Sequence, residues 1–216
     1  GKSVTFLSVL GLVRPPGRIE AGEILFDGTD LARLPPASLR ALRGRAMALA
    51  MQDALSALNP AFTIGTQIVE TILTHGLARS GTEARDLAVA LLRRVGIPSP
   101  ERRLDDYPHQ FSGGMRQRAM IAIALAGQPR LLVADEPTTA LDVTIRAQVL
   151  DLIDELREET GLAVAMITHD LGVVAERCAR VMVMYAGQVV ETGPTAEVIA
   201  APRHPYTRGL LASLPS

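Results

Sequence analysis

Apolar and polar positions along this chain fall into blocks that switch between two periods. Ser3 to Val13 is apolar and helix-like, and Pro15-Pro16-Gly17 ends it, since proline lacks the N–H that a helix needs. Gly22 to Leu31, GEILFDGTDL, alternates like a strand and bends at Asp27-Gly28, a pair suited to a tight hairpin turn. Ser38 to Arg43 forms a short helix in this reading, and Ala46 to Met51, AMALAM, a buried strand running into polar Gln52-Asp53. From Pro60 to Gly96 the pattern is helical, with Leu87, Leu91, Leu92 and Val95 on one face. Pro98, Pro100 and Pro108 break the chain before a new helix begins near Ser112, where Met115, Ala119, Ala122, Ile123 and Ala126 recur at helical spacing.

Two later segments share a design. Leu131 to Glu136, LLVADE, is an apolar run ending in two acids, and Ala163 to Asp170, AVAMITHD, is one ending in His169 and Asp170. A helical stretch, Val143 to Glu159, lies between them. Strand, helix, strand with polar residues at the strand ends is the grammar of an α/β fold, whose ligands sit at the carboxyl ends of parallel strands. Internal repeats and low-complexity tracts are absent.

Composition narrows the reading. The 216 residues suffice for one domain with a sizeable core and a small subdomain. Hydrophobic residues make up 48%, which suits a sheet covered on both faces. The longest apolar run, Ala119 to Gly127, is half of the ~18 residues that span a bilayer, so a membrane role has to come through a partner. A net charge of −1 argues against a nucleic-acid binder. Cys178 is the single cysteine, which leaves no internal disulfide. Lys2 is the only lysine in a chain whose other basic residues are all arginine, and its compact ammonium fits where a guanidinium fork does not.

Three stretches carry chemistry. Gly1-Lys2-Ser3 opens an apolar helix and resembles the end of a phosphate loop of the G-x-x-x-x-G-K-[ST] type. A helix N-terminus offers free N–H groups and a positive dipole end to phosphate; the lysine reaches the β- and γ-phosphates, and the serine hydroxyl ligates Mg²⁺. Asp135-Glu136 puts two carboxylates at a strand tip, where burial without a cation is costly. Asp135 is expected to hold Mg²⁺ and Glu136 to polarise the attacking water. Phe111 to Arg118, FSGGMRQR, starts a helix with Ser112, Gly113 and Gly114, a second anion site with glycines that allow close approach. Each has an ordinary alternative: a chance tripeptide, a solvated turn, a capped helix start.

Taken together, and in this order, the motifs resemble the nucleotide-binding subunit of an ABC transporter. Lys2-Ser3 matches Walker A, Gln52 the Q-loop, and Ser112-Gly113-Gly114-Met115 the signature. Asp135-Glu136 matches Walker B, Ala140-Leu141-Asp142 the D-loop, and His169 the switch histidine. The stretches Gln52 to Pro60, Tyr107 to Arg118, Ala134 to Thr144 and His204 to Pro215 resemble the oligopeptide, dipeptide and nickel importers.

The resemblance implies an α/β fold with a P-loop NTPase core of ABC ATPase type, a partial antiparallel β subdomain and an inserted helical subdomain. It implies an ATP-binding core over 1–59 and 118–200, a helical subdomain over 60–117 and a peptide-importer tail from 201 to 216. The implied reaction is ATP hydrolysis with Mg²⁺, powering import of peptides or a related solute such as nickel. Glu136 acts as base and His169 contacts the γ-phosphate. Gly1, Lys2, Ser3, Val4, Gln52, Ser112, Gly113, Gly114, Met115 and Asp142 bind nucleotide, and Ser3, Gln52 and Asp135 serve the metal. Implied partners are a second ABC ATPase subunit (a copy or a paralogue), transmembrane permease subunits and an upstream solute-binding protein, with no nucleic acid. The implied location is peripheral, on the cytoplasmic face of the cell membrane.

Departures from the family pattern are local. Met115 stands where many ABC proteins have glutamine, and Ala54-Leu55-Ser56 replaces the usual PMT after Gln52. The resemblance puts the start of Walker A, the strands before it and an adenine-stacking aromatic upstream of Gly1. These 216 residues alone are therefore expected to bind ATP poorly and hydrolyse it negligibly. Two other readings compete: a soluble ABC-type ATPase acting on DNA or ribosomes, and a partner subunit that binds ATP without hydrolysis. Chromosome-organising relatives of the first kind place long coiled coils between Walker A and the signature, whereas no sustained heptads lie between Gln52 and Ser112, and the near-neutral charge and the HPYT stretch also disfavour that reading. The second calls for a lost base or histidine, yet Glu136 and His169 are both present.

Overall fold

The computed structural model describes residues 1–138 and 141–213, with Leu55 described by its backbone alone. In chain order its elements are α1 (Lys2–Val9), β1 (Leu25–Phe26), β2 (Thr29–Asp30), α2 (Pro36–Leu42), β3 (Met47–Ala50), α3 (Ala54–Ala57), α4 (Ile64–Thr74), α5 (Gly81–Arg94) and α6 (Pro100–Arg103). They continue with α7 (Gly113–Leu125), β4 (Leu131–Asp135), α8 (Val143–Thr160), β5 (Ala163–Ile167), α9 (Leu171–Arg177), β6 (Arg180–Tyr185), β7 (Gln188–Pro194), α10 (Thr195–Ala200) and α11 (Pro205–Ala212). The chain divides into two units, Arg33–Met166 and Gly1–Ala32 with Ile167–Ser216.

In the larger unit the apolar runs form a sheet in the order β3-β4-β5. β3 and β4 pair in parallel, Met47 opposite Leu131 through Ala50 opposite Ala134. This register puts the carboxyl ends of both strands at the same edge, so the polar residues that follow them emerge side by side. Met47, Ala50, Leu132, Val133 and Ala134 are fully buried, as a sheet covered on both faces requires.

Caps divide the helical interval before the signature stretch. Thr63 accepts the Thr66 N–H at 3.2 Å to start α4, and Ser80 accepts the Glu83 N–H at 3.1 Å to start α5. Gly76, at φ +67°, ends the first of the two. Next comes α7, which packs against α3, α4, α5, α8 and β3. Its small residues Ala119, Ala122 and Ala124 are buried, which lets neighbours approach on several sides.

A close backbone approach secures the far end of α7. A Cβ added at Gly127 would overlap the carbonyl oxygen of Gly44, itself at φ +78°. Both atoms are backbone, so neither can move aside cheaply. Gly127→Ala is therefore expected to cost about 3 kcal/mol, lowering the Tm by roughly 6–12 °C in a thermal melt.

In the smaller unit Asp27 and Gly28, at φ +48° and +75°, make the tight turn between antiparallel β1 and β2. The helix expected from Ser3 to Val13 ends earlier, at Val9. Gly11 takes φ +60°, and the Leu12 N–H bonds back to the Leu7 carbonyl at 2.7 Å, a C-terminal cap that stops the helix before the prolines. β6 and β7 form a second antiparallel hairpin, with a register shift at Val183/Met184. Among the described residues no helix is long and apolar enough to cross a membrane.

Candidate functional site

Asp135 is the last residue of β4. Its Oδ1 is buried and has no hydrogen-bond partner. An unmatched, buried carboxylate oxygen is costly, and a bound cation is one group that would offset the cost. Glu136 follows at φ +46°, a left-handed conformation that is strained for a residue with a side chain and that clusters at functional sites. The turn aims its carboxylate at the neighbouring strand end, where Oε2 accepts a hydrogen bond from Gln52 Nε2 at 3.2 Å. The β3–β4 register explains the meeting. Gln52 and Glu136 each lie two residues beyond the paired Ala50 and Ala134.

Among the described residues no group of three His, Cys, Asp or Glu is placed to hold a metal.

The signature stretch forms the start of α7. Ser112 is its N-cap, with Oγ accepting the Met115 N–H at 3.3 Å. Gly113 is exposed, whereas Gly114 has a packing duty: a Cβ there would come within 2.6 Å of Ile145 Cγ2. Met115 packs against the core. Asp142 caps α8 in the same manner, accepting the Ile145 N–H at 2.9 Å. The start of α7 and the start of α8 thus lie in contact. Ala140, expected in the D-loop with Leu141 and Asp142, lies outside the described residues, as do Thr139, Leu214 and Pro215 of the longer peptide-importer stretches.

The remaining predicted residues lie in the smaller unit. Gly1 is the N-cap of α1, whose first turn holds no acidic residue, so the positive end of its dipole faces no carboxylate of its own turn. Ser3 and Val4 are exposed on that turn. Lys2 Nζ donates to the Thr168 carbonyl at 2.9 Å, next to exposed His169. Asp170 holds this turn together. Its N–H donates to Thr168 Oγ1 at 3.0 Å, while its Oδ1 caps α9 by accepting from Gly172 and Val173 at 3.0 and 3.3 Å. The lysine and the histidine turn are thereby joined. Thr168 was not singled out by sequence reasoning, and it acts through a carbonyl that every residue carries, so no signal was there to find.

The HPYT stretch is anchored rather than loose. The Glu191 carboxylate accepts the N–H groups of Arg203 and His204 at 2.8 and 3.1 Å. His204 Nδ1 accepts the Tyr206 N–H at 3.1 Å to cap α11, and the Tyr206 ring lies 4.4 Å from that of Tyr185.

The family model described as ABC transporter matches residues 1–139, and that described as Oligopeptide/dipeptide transporter, C-terminal region, matches 190–216. The dipeptide transport ATP-binding protein DppD of Escherichia coli (strain K12) is 52% identical over 215 residues, covering 100% of this chain and 65% of the relative. The oligopeptide transport ATP-binding protein OppD of Bacillus subtilis (strain 168) is 52% identical over 217 residues, covering 100% of this chain and 60% of the relative. The chain thus spans less than two thirds of the length of either. Among solved structures, the dimeric post-hydrolysis state of the ATP-binding cassette MJ0796 bound to ADP and Pi aligns with a TM-score of 0.78 and 28% identity, over 90% of this chain and 81% of that one.

Proposed function

The chain belongs to the ABC transporter family, and from that membership we propose that it is the ATP-hydrolysing subunit of a membrane importer of peptides, or of a related small solute such as nickel. The observation that carries the reading is the tip of β4. There a buried, unmatched Asp135 oxygen adjoins Glu136, which is held in a left-handed turn with its carboxylate on Gln52. The names of the two relatives, which specify dipeptide and oligopeptide transport, support the solute class.

In this reading Lys2 and the free N–H groups of α1 bind the β- and γ-phosphates, and His169 contacts the γ-phosphate. Asp135, the Ser3 hydroxyl and Gln52 hold Mg²⁺, which supplies positive charge to phosphate oxygens that otherwise repel a nucleophile. Glu136 orients the attacking water and accepts its proton. Ser112, Gly113, Gly114 and Met115 bind the nucleotide held by a second subunit, either a copy of this chain or a paralogue, and Asp142 and Val4 complete the nucleotide contacts. The core is assigned to 1–59 and 118–200, the helical subdomain to 60–117 and the tail to 201–216. Permease subunits place the protein on the cytoplasmic face of the membrane, and a solute-binding protein delivers the cargo.

The test is ATP turnover by the whole transporter in liposomes, with its solute-binding protein loaded from a panel of di- and oligopeptides or with Ni²⁺. Turnover is expected to rise several-fold with the correct peptide. A purified transporter that hydrolyses no ATP, or turnover raised only by DNA or ribosomes, would overturn the proposal.

A further inference from the structure

We propose that Arg118 is a positioning residue: it locks the helix that carries Ser112-Gly113-Gly114 to the helix that carries Asp142, and ties both to the end of α5. The inference rests on the ATPase reading above for its effect on turnover. Its geometry lies wholly within the larger unit.

The guanidinium is shared between two elements. Nη1 donates to the Val95 carbonyl at 3.0 Å, and Nη2 donates to Gln148 Oε1 at 2.9 Å. Val95 is the C-cap of α5, so its carbonyl is among those that a helix end leaves without an intrahelical partner, at the negative end of the dipole. A cation suits that place. Steric access is provided by Gly96, at φ +72°, where any Cβ would overlap Nη1. Gln148 lies on α8. Arg94 adds a second tie between the same helices, its Nη2 meeting Glu159 Oε2 at 2.5 Å.

The spacing gives the arrangement its consequence. Arg118 lies six residues into the chain from Ser112, and Gln148 six from Asp142. At the rise of an α-helix both are about 9 Å from their caps. Nearer the tips, Gly114 and Ile145 interlock. Two fastenings at matched depth keep the two helix starts level and make them move as one body. The Val95 bond passes any shift of α5 directly to that body. Lysine cannot replace the fork, because a single ammonium on a flexible stem does not hold two acceptors in fixed directions.

The experiment uses the whole transporter with Arg118→Lys, Gln148→Ala, Gln148→Glu and the double variant Arg118→Lys/Gln148→Ala. Measurements are kcat, KM for ATP, Tm, and hydrogen exchange in the first turns of α7 and α8. Arg118→Lys and Gln148→Ala are each expected to lower kcat about tenfold with KM little changed. The double variant is expected to be no worse than Arg118→Lys, because both remove one link. Gln148→Glu, which still accepts from Arg118, keeps wild-type kcat. In Arg118→Lys the two first turns lose their common exchange rate.

Lowered Tm with unchanged kcat, or kcat losses that multiply in the double variant, would overturn the inference and reduce Arg118 to a stabilising cap. An inactive wild type would instead overturn the ATPase reading, and hydrogen exchange, which needs no turnover, would still decide the role of Arg118.

Discussion

Glu136→Gln is expected to lower ATP turnover about a thousandfold while leaving ATP affinity near the wild-type value, since a well-placed general base contributes roughly 10²–10⁴-fold. The amide keeps the shape of the side chain. What it loses is the ability to take a proton from water. The backbone turn at φ +46° and the partner Gln52 are unaffected by the exchange of one oxygen for nitrogen, so the phosphate contacts assigned to Lys2 and Ser112 persist. ATP-bound dimers are therefore expected to accumulate. Steady-state turnover and gel filtration with ATP, both on the full-length protein, check the two halves of the claim. Wild-type turnover in this variant would remove Glu136 from the role of base. Two silent proteins, wild type and variant alike, would favour a subunit that binds ATP without hydrolysing it.

The parts of the molecule that were legible beforehand are those whose cause is local. LLVADE announces β4 and its acidic tip because a buried run of apolar residues cannot continue into two carboxylates. Asp27-Gly28 announces a hairpin because both residues accept positive φ, and both adopt it. Helices are expected to start near Ser112 and at Val143, and Ser112 and Asp142 are their N-caps.

What escaped sequence reasoning depends on partners distant in the chain. Gly114 reads as a glycine that lets a ligand approach, yet the side chain that comes close to it is Ile145, thirty-one residues away. The short hairpin of β6 and β7 and helices α9 to α11 were not placed. RVMVMY mixes alternation with an unbroken apolar run, and its pairing is decided by residues of β7 and by a register shift. HPYT reads only as a family label. Its anchoring to Glu191 and Tyr185 becomes visible once the strand that carries Glu191 is folded beside it. Arg118 is the clearest case, because nothing in SGGMRQR says that its second arginine ends on a carbonyl of α5.

A mixture of Lys2→Ala and Ser112→Arg subunits is expected to recover ATP turnover that neither variant shows alone. Lys2 is assigned to the phosphates of a subunit's own nucleotide, and Ser112, exposed at the start of α7, to the nucleotide of its partner. In dimers of Lys2→Ala both sites lack the lysine, and in dimers of Ser112→Arg both sites receive a bulky cation in place of the capping hydroxyl. Each variant alone should fall about a hundredfold or more, the usual cost of losing a charge-stabilising contact on the transferred group. A mixed dimer concentrates both lesions in one site and leaves the other intact. With random pairing, half the dimers are mixed and each has one working site, so turnover should return to about a quarter of the wild-type level. Where the second ATPase is a paralogue, Lys2→Ala is made on this chain and the signature-serine change on the paralogue. The two lesions then share one site, and the expected result is that the pair is no slower than Lys2→Ala alone. Had Ser112 served its own subunit's nucleotide, mixing would distribute one lesion to every site and restore nothing. Mixed subunits as inactive as either parent would therefore end the trans assignment of Ser112.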